Sequence, residues 1–371
     1  MKKIPCVYMR GGTSKAVIFH RKDLPEDRSA WREIFLKTMG TPDVKQIDGM
    51  GGTVSSTSKI AVISPSERPG ADVDYYFVQV GVDRADVSDN LNCGNISSAV
   101  GPFAIDEGLV SAAEPITTVR VYNENTKKII EELVRVENGR AAVYGDTSID
   151  GVPGTGAEID LFFREPGGAA TGRVFPTGRR REFFDIPDFG RYEVTVIDVS
   201  NLAVFVRAGD LGLKGTELGE LNANAEKMEL LERIRCMAAQ KAGLVERWED
   251  AREAFAASPK IGILSRPQDY VSMDGRQVKA EETDLCCRMI SLGVMHKAYP
   301  MTYAIATAAA ACMEGTLAEE LAAPLRKQGS VRLGHASGVT EVKMVMKDGN
   351  VEKAGIVRTA RRIMDGNIYI L

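Results

Sequence analysis

The stretch DGMGGTVSSTSKIAVIS (Asp48 to Ser64) sets glycines and hydroxyls directly ahead of a lysine, Lys59, which opens an apolar, β-branched run. A lysine so placed can be a solvated surface charge, an anion clamp, or a base held in a pocket. Gly52, Thr53, Ser58 and their neighbours offer backbone N–H groups and hydroxyls with little bulk. Such a loop suits carboxylate or phosphate oxygens. Burial beside it disfavours a charged lysine, which can then act as a base.

A similar vocabulary occurs in MRGGTSK. Arg10 carries a planar fork that matches a carboxylate, Gly11 and Gly12 permit close backbone approach, and Thr13, Ser14 and Lys15 add donors. Without a ligand, the same residues make a hairpin turn with two exposed cations. In NLNCGNISS, Cys93 precedes a segment of small and apolar residues that reads as a buried helix, with Gly94 and Asn95 at its start. A helix N-terminus stabilises a thiolate and attracts anions. The other reading of Cys93 is a buried thiol with Asn95 as cap. In GHASG, a turn holds His335, Ser337 and Gly338, with His335 either a ligand donor or a plain turn residue.

These residues need elements to position them. Short runs rich in β-branched and aromatic residues, bounded by Gly, Pro, Asn or Asp, predict a strand-rich first half: IPCVYMR, KAVIFH, KIAVIS, VDYYFVQVGV, TTVRVYN, KKIIEELVRVENG, RAAVYG and EIDLFF. SAWREIFLKTMG predicts a helix with Ser29 as cap and Gly40 as stop. ISSAVGPFAIDEG is apolar all round, which belongs inside a protein. In the second half, YEVTVIDVSNLAVFVRA predicts two strands about Ser200 and Asn201, followed by a long amphipathic helix. SPKIGILS then echoes TSKIAVIS, aligning Lys260 with Lys59, and each copy precedes a wholly apolar helix. Two such coincidences in one order predict a duplicated domain. The expected class is α+β with antiparallel sheets, each curled around a buried helix. The Gly-rich, basic segment GGAATGRVFPTGRRREF places the boundary near residue 183, giving domains 1–183 and 184–371, with the last strand a candidate to return to the first.

Composition narrows the function classes. With 371 residues, 44% hydrophobic and 26% charged residues, and a net charge of −4, the chain reads as globular, with no reason to expect a nucleic-acid or membrane partner. No run of eighteen apolar residues spans a bilayer, and the N-terminus lacks the apolar stretch of a signal peptide. Six scattered cysteines without a CxxC pair fit a reducing, cytoplasmic setting. Three histidines without zinc spacing, and loops that match neither the Walker nor the GxGxxG pattern, imply neither metal nor organic cofactor. A homodimer is the default assembly for a soluble enzyme.

Taken together, CVYMRGGTSK, DGMGGTVSSTSKIAVIS, DNLNCGNISSAVGPFAIDEGLV, LGVMHKA, GHASGVTEV and VRTARRIMDG resemble the PrpF family over essentially the whole chain. That family includes 2-methylaconitate cis–trans isomerase, 3-methylitaconate Δ-isomerase and 4-oxalomesaconate tautomerase. The resemblance implies a diaminopimelate-epimerase-like fold of two pseudo-equivalent domains with the active site between them. It also implies cofactor-independent proton transfer along an allylic system of small unsaturated di- and tricarboxylates. The family lysine matches Lys59, and the family cysteine matches Cys93. Leu202 and Ala203 stand where relatives commonly show a proline after the asparagine, and Ala336 where proline is frequent, and this bears on substrate identity more than on reaction class. Epimerases of this fold use a cysteine from each domain, whereas MHKAYPMT enters the second apolar helix without one, which disfavours two-thiol racemisation. The rival expectations are an amino- or hydroxy-acid epimerase and a non-catalytic polycarboxylate-binding protein.

Overall fold

The structure, a computed structural model, describes residues 1–89, 93–256, 258–291, 293–323 and 329–370. The chain forms two units, Met1–Arg164 with Val357–Leu371, and Glu165–Ile356.

Alternating burial marks the strands of the first unit. They are β1 (Lys2–Gly11), β2 (Ser14–His20), β3 (Lys59–Pro65), β4 (Val73–Val80), β5 (Val87–Ser88), β6 (Ile116–Asn123), β7 (Lys128–Glu137), β8 (Arg140–Ala141) and β9 (Ile159–Arg164). RAAVYG contributes only its first two residues as strand. The main strands of this unit lie in the order β21-β1-β2-β3-β4-β6-β7-β9, where β21 (Ala360–Ile370) is the returning C-terminal segment. Most neighbours are antiparallel. The parallel pairs β2–β3 and β4–β6 each need a crossover, and helices supply both.

The first crossover holds α1 (Trp31–Met39), which buries Trp31, Ile34, Phe35 and Met39 against Ile4, Cys6, Val17, Phe19, Ile60, Val62, Val78 and Val80. Gly40, at φ 73°, stops this helix as expected. Its start differs from the expectation. Asp27, not Ser29, does the capping, accepting the Ser29 N–H at 2.9 Å ahead of a 3-10 turn, and α1 then begins without a side-chain cap. The second crossover holds the short α2 (Gly94–Ser97), with Asn95 half-buried, and the largely apolar α3 (Val100–Asp106), both packed on the opposite face of the sheet.

The second unit contains β10 (Glu182–Ile186), β11 (Gly190–Val199), β12 (Asn201–Arg207), β13 (Lys260–Ser265), β14 (Tyr270–Val271), β15 (Gln277–Val278), β16 (Leu285–Ser291), β17 (Val294–Met295), β18 (Ser330–His335), β19 (Gly338–Lys347) and β20 (Asn350–Arg358), whose last two residues, Val357 and Arg358, already belong to the first unit. Its main order is β10-β11-β12-β13-β16-β18-β19-β20. Both units run through the same series of pairings: antiparallel, antiparallel, parallel, antiparallel, parallel, antiparallel, antiparallel. Lys59 and Lys260 open the corresponding strands, β3 and β13. The long helix α4 (Ala225–Lys241), followed by the short α5 (Ala251–Ala254), bridges β12 and β13. The apolar α6 (Met301–Cys312), followed by α7 (Leu317–Leu321), bridges β17 and β18. The matching order of elements is the duplication that the two SKIAVIS-like segments announce. Residue 183 lies within β10. Ahead of that strand, the Gly-rich segment wraps Asp198, whose carboxylate accepts the N–H groups of Ala170 and Thr171 at 2.9 and 2.7 Å.

No helix among the described residues is long and apolar enough to cross a membrane. All six cysteines are free thiols.

Candidate active site

Side chains on a strand alternate between faces, so the packing of neighbours fixes where each candidate points. On β3, Ile60 and Val62 pack toward α1, which turns Lys59, Ala61 and Ile63 to the inner face, the side of α2 and α3. Lys59 is only 7% exposed. Its ammonium donates to Gln79 Oε1, directly across the β3–β4 ladder, and lies 5.3 Å from the centroid of the Phe77 ring.

The Gly-rich loop before Lys59 is organised by a residue that composition does not single out. Gln46 is buried, donates from Nε2 to Thr41 Oγ1 at 3.1 Å and to Ser58 Oγ at 2.8 Å, and accepts the Thr53 N–H at 3.0 Å. A Cβ on Gly51 would lie 2.2 Å from the Gln46 amide, and one on Gly52 would lie 2.5 Å from Thr57 Oγ1. These glycines therefore serve the loop's own packing. Ser58 is fully buried, while Thr53, at φ 70°, is exposed.

The hairpin between β1 and β2 packs on the start of α2. A Cβ on Gly11 would meet the Asn95 carbonyl at 2.4 Å, and one on Gly12 would meet Asn95 Oδ1 at 2.2 Å. Here too the close approach that glycine permits is made by the chain itself. Asn95 Nδ2 donates to Thr13 Oγ1 at 3.0 Å. Ser14 is buried and inward, whereas Lys15 shares the outer face of β2 with Val17 and Phe19, its ammonium 5.4 Å from the Tyr8 ring centroid. Arg10, paired with Lys15 across the hairpin, gives Nη1 to the carbonyls of Gly12 and Thr359 at 3.0 and 2.9 Å and to Thr359 Oγ1 at 3.0 Å. Arg10 and Lys15 thus point away from the face that carries Lys59.

Cys93 immediately precedes α2, half-buried, and its carbonyl accepts the N–H and hydroxyl of Ser97 at 2.9 and 3.1 Å. A cation whose field reaches Cys93 is Arg358, quoted only as part of VRTARRIMDG in the sequence reading. Its Nε donates to Asn95 Oδ1 at 3.2 Å and its Nη1 to its neighbour's carbonyl, on Val357, at 2.8 Å. Burial pulls the guanidinium down to about 10, offset by the fields of Asp150 and Cys93, so it stays charged at neutral pH. Beneath α3, the fully buried Glu132 accepts the Gly101 N–H at 2.8 Å, and burial raises its carboxyl well above the usual range. Tyr75, also buried on the inner face of β4, is raised by desolvation and by the fields of Cys93 and Glu132. The inner face therefore gathers Lys59, Gln79, Tyr75, Cys93, Asn95, Glu132 and Arg358.

The family model described as "PrpF protein" matches residues 1–371. The chain belongs to the PrpF family. It is 43% identical over 370 residues to 3-methylitaconate isomerase from Eubacterium barkeri, covering 99% of this chain and 97% of that one. It is 38% identical over 386 residues to 2-methyl-aconitate isomerase from Cupriavidus necator, covering 99% and 97%. A crystal structure of methylitaconate-delta-isomerase superposes with a TM-score of 0.95 at 43% identity, covering 100% of this chain and 96% of that one. Through these full-length relationships, this PrpF chain is an isomerase with the diaminopimelate-epimerase-like fold.

The remaining candidates of this PrpF chain lie in its second unit. His335 is buried at the end of β18, with Nε2 2.8 Å from Thr340 Oγ1 and Nδ1 accepting the Ser337 N–H at 3.2 Å. Both ring nitrogens are thereby engaged within the turn. Ser337 donates its hydroxyl to the Lys297 carbonyl, and the Gly338 carbonyl accepts from Tyr270 at 2.6 Å. Lys260, the counterpart of Lys59, lies 5.2 Å from the Tyr303 ring centroid, and burial, with Arg235 adding, pulls its ammonium below the ordinary value. Sequence reasoning passed over Gln46, Gln79 and Arg358 for one reason: nothing in their local sequence marks them as the residues that meet a distant loop.

Proposed function

We propose that this isomerase moves a proton between two carbons of an allylic system in small unsaturated di- or tricarboxylates, the class to which 3-methylitaconate and 2-methylaconitate belong, with Lys59 as the base. The observation that carries the reading is a buried lysine whose hydrogen-bond partner is a neutral amide, on the same face as Cys93 and Arg358. A carboxylate of the substrate is held by Arg358 through charge-assisted hydrogen bonds. Lys59 removes the C–H proton next to the double bond. The electron pair enters the conjugated system, and the charge spreads onto carboxylate oxygens. A fixed cation facing those oxygens lowers the barrier, with one lost donor typically costing on the order of 10²-fold in rate. Lys59 returns the proton at the far end of the allyl unit, so the double bond moves and no redox change occurs. Cys93 is a second acid/base or a donor that positions the substrate.

Proton NMR of the protein in D₂O with 3-methylitaconate, 2-methylaconitate, aconitate and oxalomesaconate tests this. The expected result is deuterium at the γ-carbon together with a displaced double bond. Exchange confined to the original carbon would instead indicate epimerisation, and tight binding without any exchange would indicate a binding protein.

A further inference from the structure

We propose that Gln79 is a positioning residue that orients Lys59 without fixing a proton on it. The inference rests on the reading of Lys59 as the base.

Gln79 stands opposite Lys59 in the β3–β4 register. Its Nε2 donates to three backbone carbonyls, those of Ser55 at 3.0 Å, Ser58 at 2.9 Å and Val80 at 3.2 Å. Carbonyls accept and cannot donate, so these contacts decide which way the amide faces. The remaining atom, Oε1, is thereby aimed at Lys59 Nζ. One side chain thus ties the end of the Gly-rich loop to the nitrogen that moves the proton.

The charge of that partner matters as much as its place. A carboxylate opposite a buried ammonium would hold the proton on nitrogen, because attraction between unit charges grows severalfold as the surroundings become less polar than water. A neutral amide oxygen accepts an N–H from either the ammonium or the amine, and it favours the ammonium far less than a carboxylate would. With one N–H held by Oε1 and the Phe77 ring alongside, the lone pair of the deprotonated amine is left to point toward the inner face. Among the described residues, that face also carries Tyr75, Cys93, Glu132 and Arg358, with Asp150 acting on Arg358, and farther along β2 His20, 2.9 Å from Glu107 and packed on the Phe103 ring. Burial raises the Tyr75 phenol further above its already high ordinary value and the Glu132 carboxyl well above the usual carboxyl range, and it leaves Arg358 charged at neutral pH.

Two variants separate this role from a merely structural tie. Gln79→Glu keeps the shape and places a charge against Lys59, while Gln79→Met removes the hydrogen bonds without adding charge. Both are first checked for a native unfolding transition. In Gln79→Glu the rising limb of the kcat–pH profile is expected to move at least one unit to higher pH, so kcat at pH 7 falls about tenfold or more. The pH dependence of Lys59 carbamoylation by cyanate, read by mass spectrometry without turnover, should move the same way. In Gln79→Met, kcat should fall about tenfold with KM changed less than about threefold and with no upward shift of the limb. A wild-type pH profile and wild-type labelling in Gln79→Glu would overturn the proposal, as would wild-type kcat in Gln79→Met. Turnover that survives in Lys59→Ala would overturn the underlying base assignment instead, so the two failures are distinguishable.

Discussion

Replacing Lys59 with alanine removes the nitrogen proposed to take the proton but leaves the strand around it paired. The expected result is a loss of turnover of about 10²- to 10⁴-fold, the usual worth of a positioned general base, with the unfolding transition preserved. Deuterium uptake by the substrate in D₂O reads the same step directly, and uptake at the wild-type rate would sink the assignment. Arg358 is tested differently, because the proposed role is to bind the substrate carboxylate and not to transfer the proton. Arg358→Ala should lower kcat/KM by about 10- to 100-fold, equivalent to the ~1.5–3 kcal/mol of a hydrogen bond to a charged group. Unchanged steady-state kinetics would remove Arg358 from the site. Arg10 and Lys15, the more conspicuous cations in the sequence, have their charged groups on the outer side of the hairpin. The parity of strand positions separates Lys15, and Arg10 paired with it, from Ser14 beside Lys15.

At the scale of elements, α3 lies against β7 with almost no spare room. A Cβ on Gly101 would approach Glu132 Oε2 to 2.6 Å and Val134 Cγ2 to 2.8 Å. Gly101→Ala is therefore expected to cost about 1–3 kcal/mol of stability in urea melts, and a neutral result would show that the helix can lift. Glu132 beneath it makes stability depend on pH. Its folded-state value is raised, so above the ordinary carboxyl range near ~4.3 the folded chain keeps a proton that the unfolded chain has released. Stability from this group is then full below that range and declines as pH rises toward the folded value, by at most ~1.4 kcal/mol per pH unit. Glu132→Gln abolishes the dependence. Its stability relative to wild type should rise between pH 5 and 7, and a gap that stays constant with pH would contradict the buried, protonated carboxyl.

At the scale of the whole molecule, the C-terminal strand completes the first unit. β21 pairs with β1 from Lys2↔Ile370 to Gly11↔Ala360, with a bulge at Tyr8/Met9. A chain ending at Thr359 loses this partner along all of β1, which also carries the hairpin that packs on Asn95. The expected outcome is loss of cooperative unfolding in the first unit, read by amide hydrogen exchange, and native protection in β1 of the shortened chain would refute it. Much of this architecture is legible in the amino-acid order. Period-two runs mark the strands, a segment apolar all round marks the buried helix, and the paired SKIAVIS-like segments announce the duplication, because each of these signals is local or a direct repeat. The Gly-rich loop leading into Lys59 is equally visible as a place where chemistry could occur. What local order does not carry is which face of a strand meets which helix, or which distant residue arrives there. Those depend on register and on crossovers that bring together positions far apart in the chain, as when Arg358 reaches Asn95 and Gln46 reaches Ser58. So the residue types available for proton transfer follow from the sequence alone. The tertiary structure decided that Lys59 turns inward to a neutral amide while Lys15 turns outward to Tyr8, because pairing register selects one of two faces and local propensity is blind to that choice.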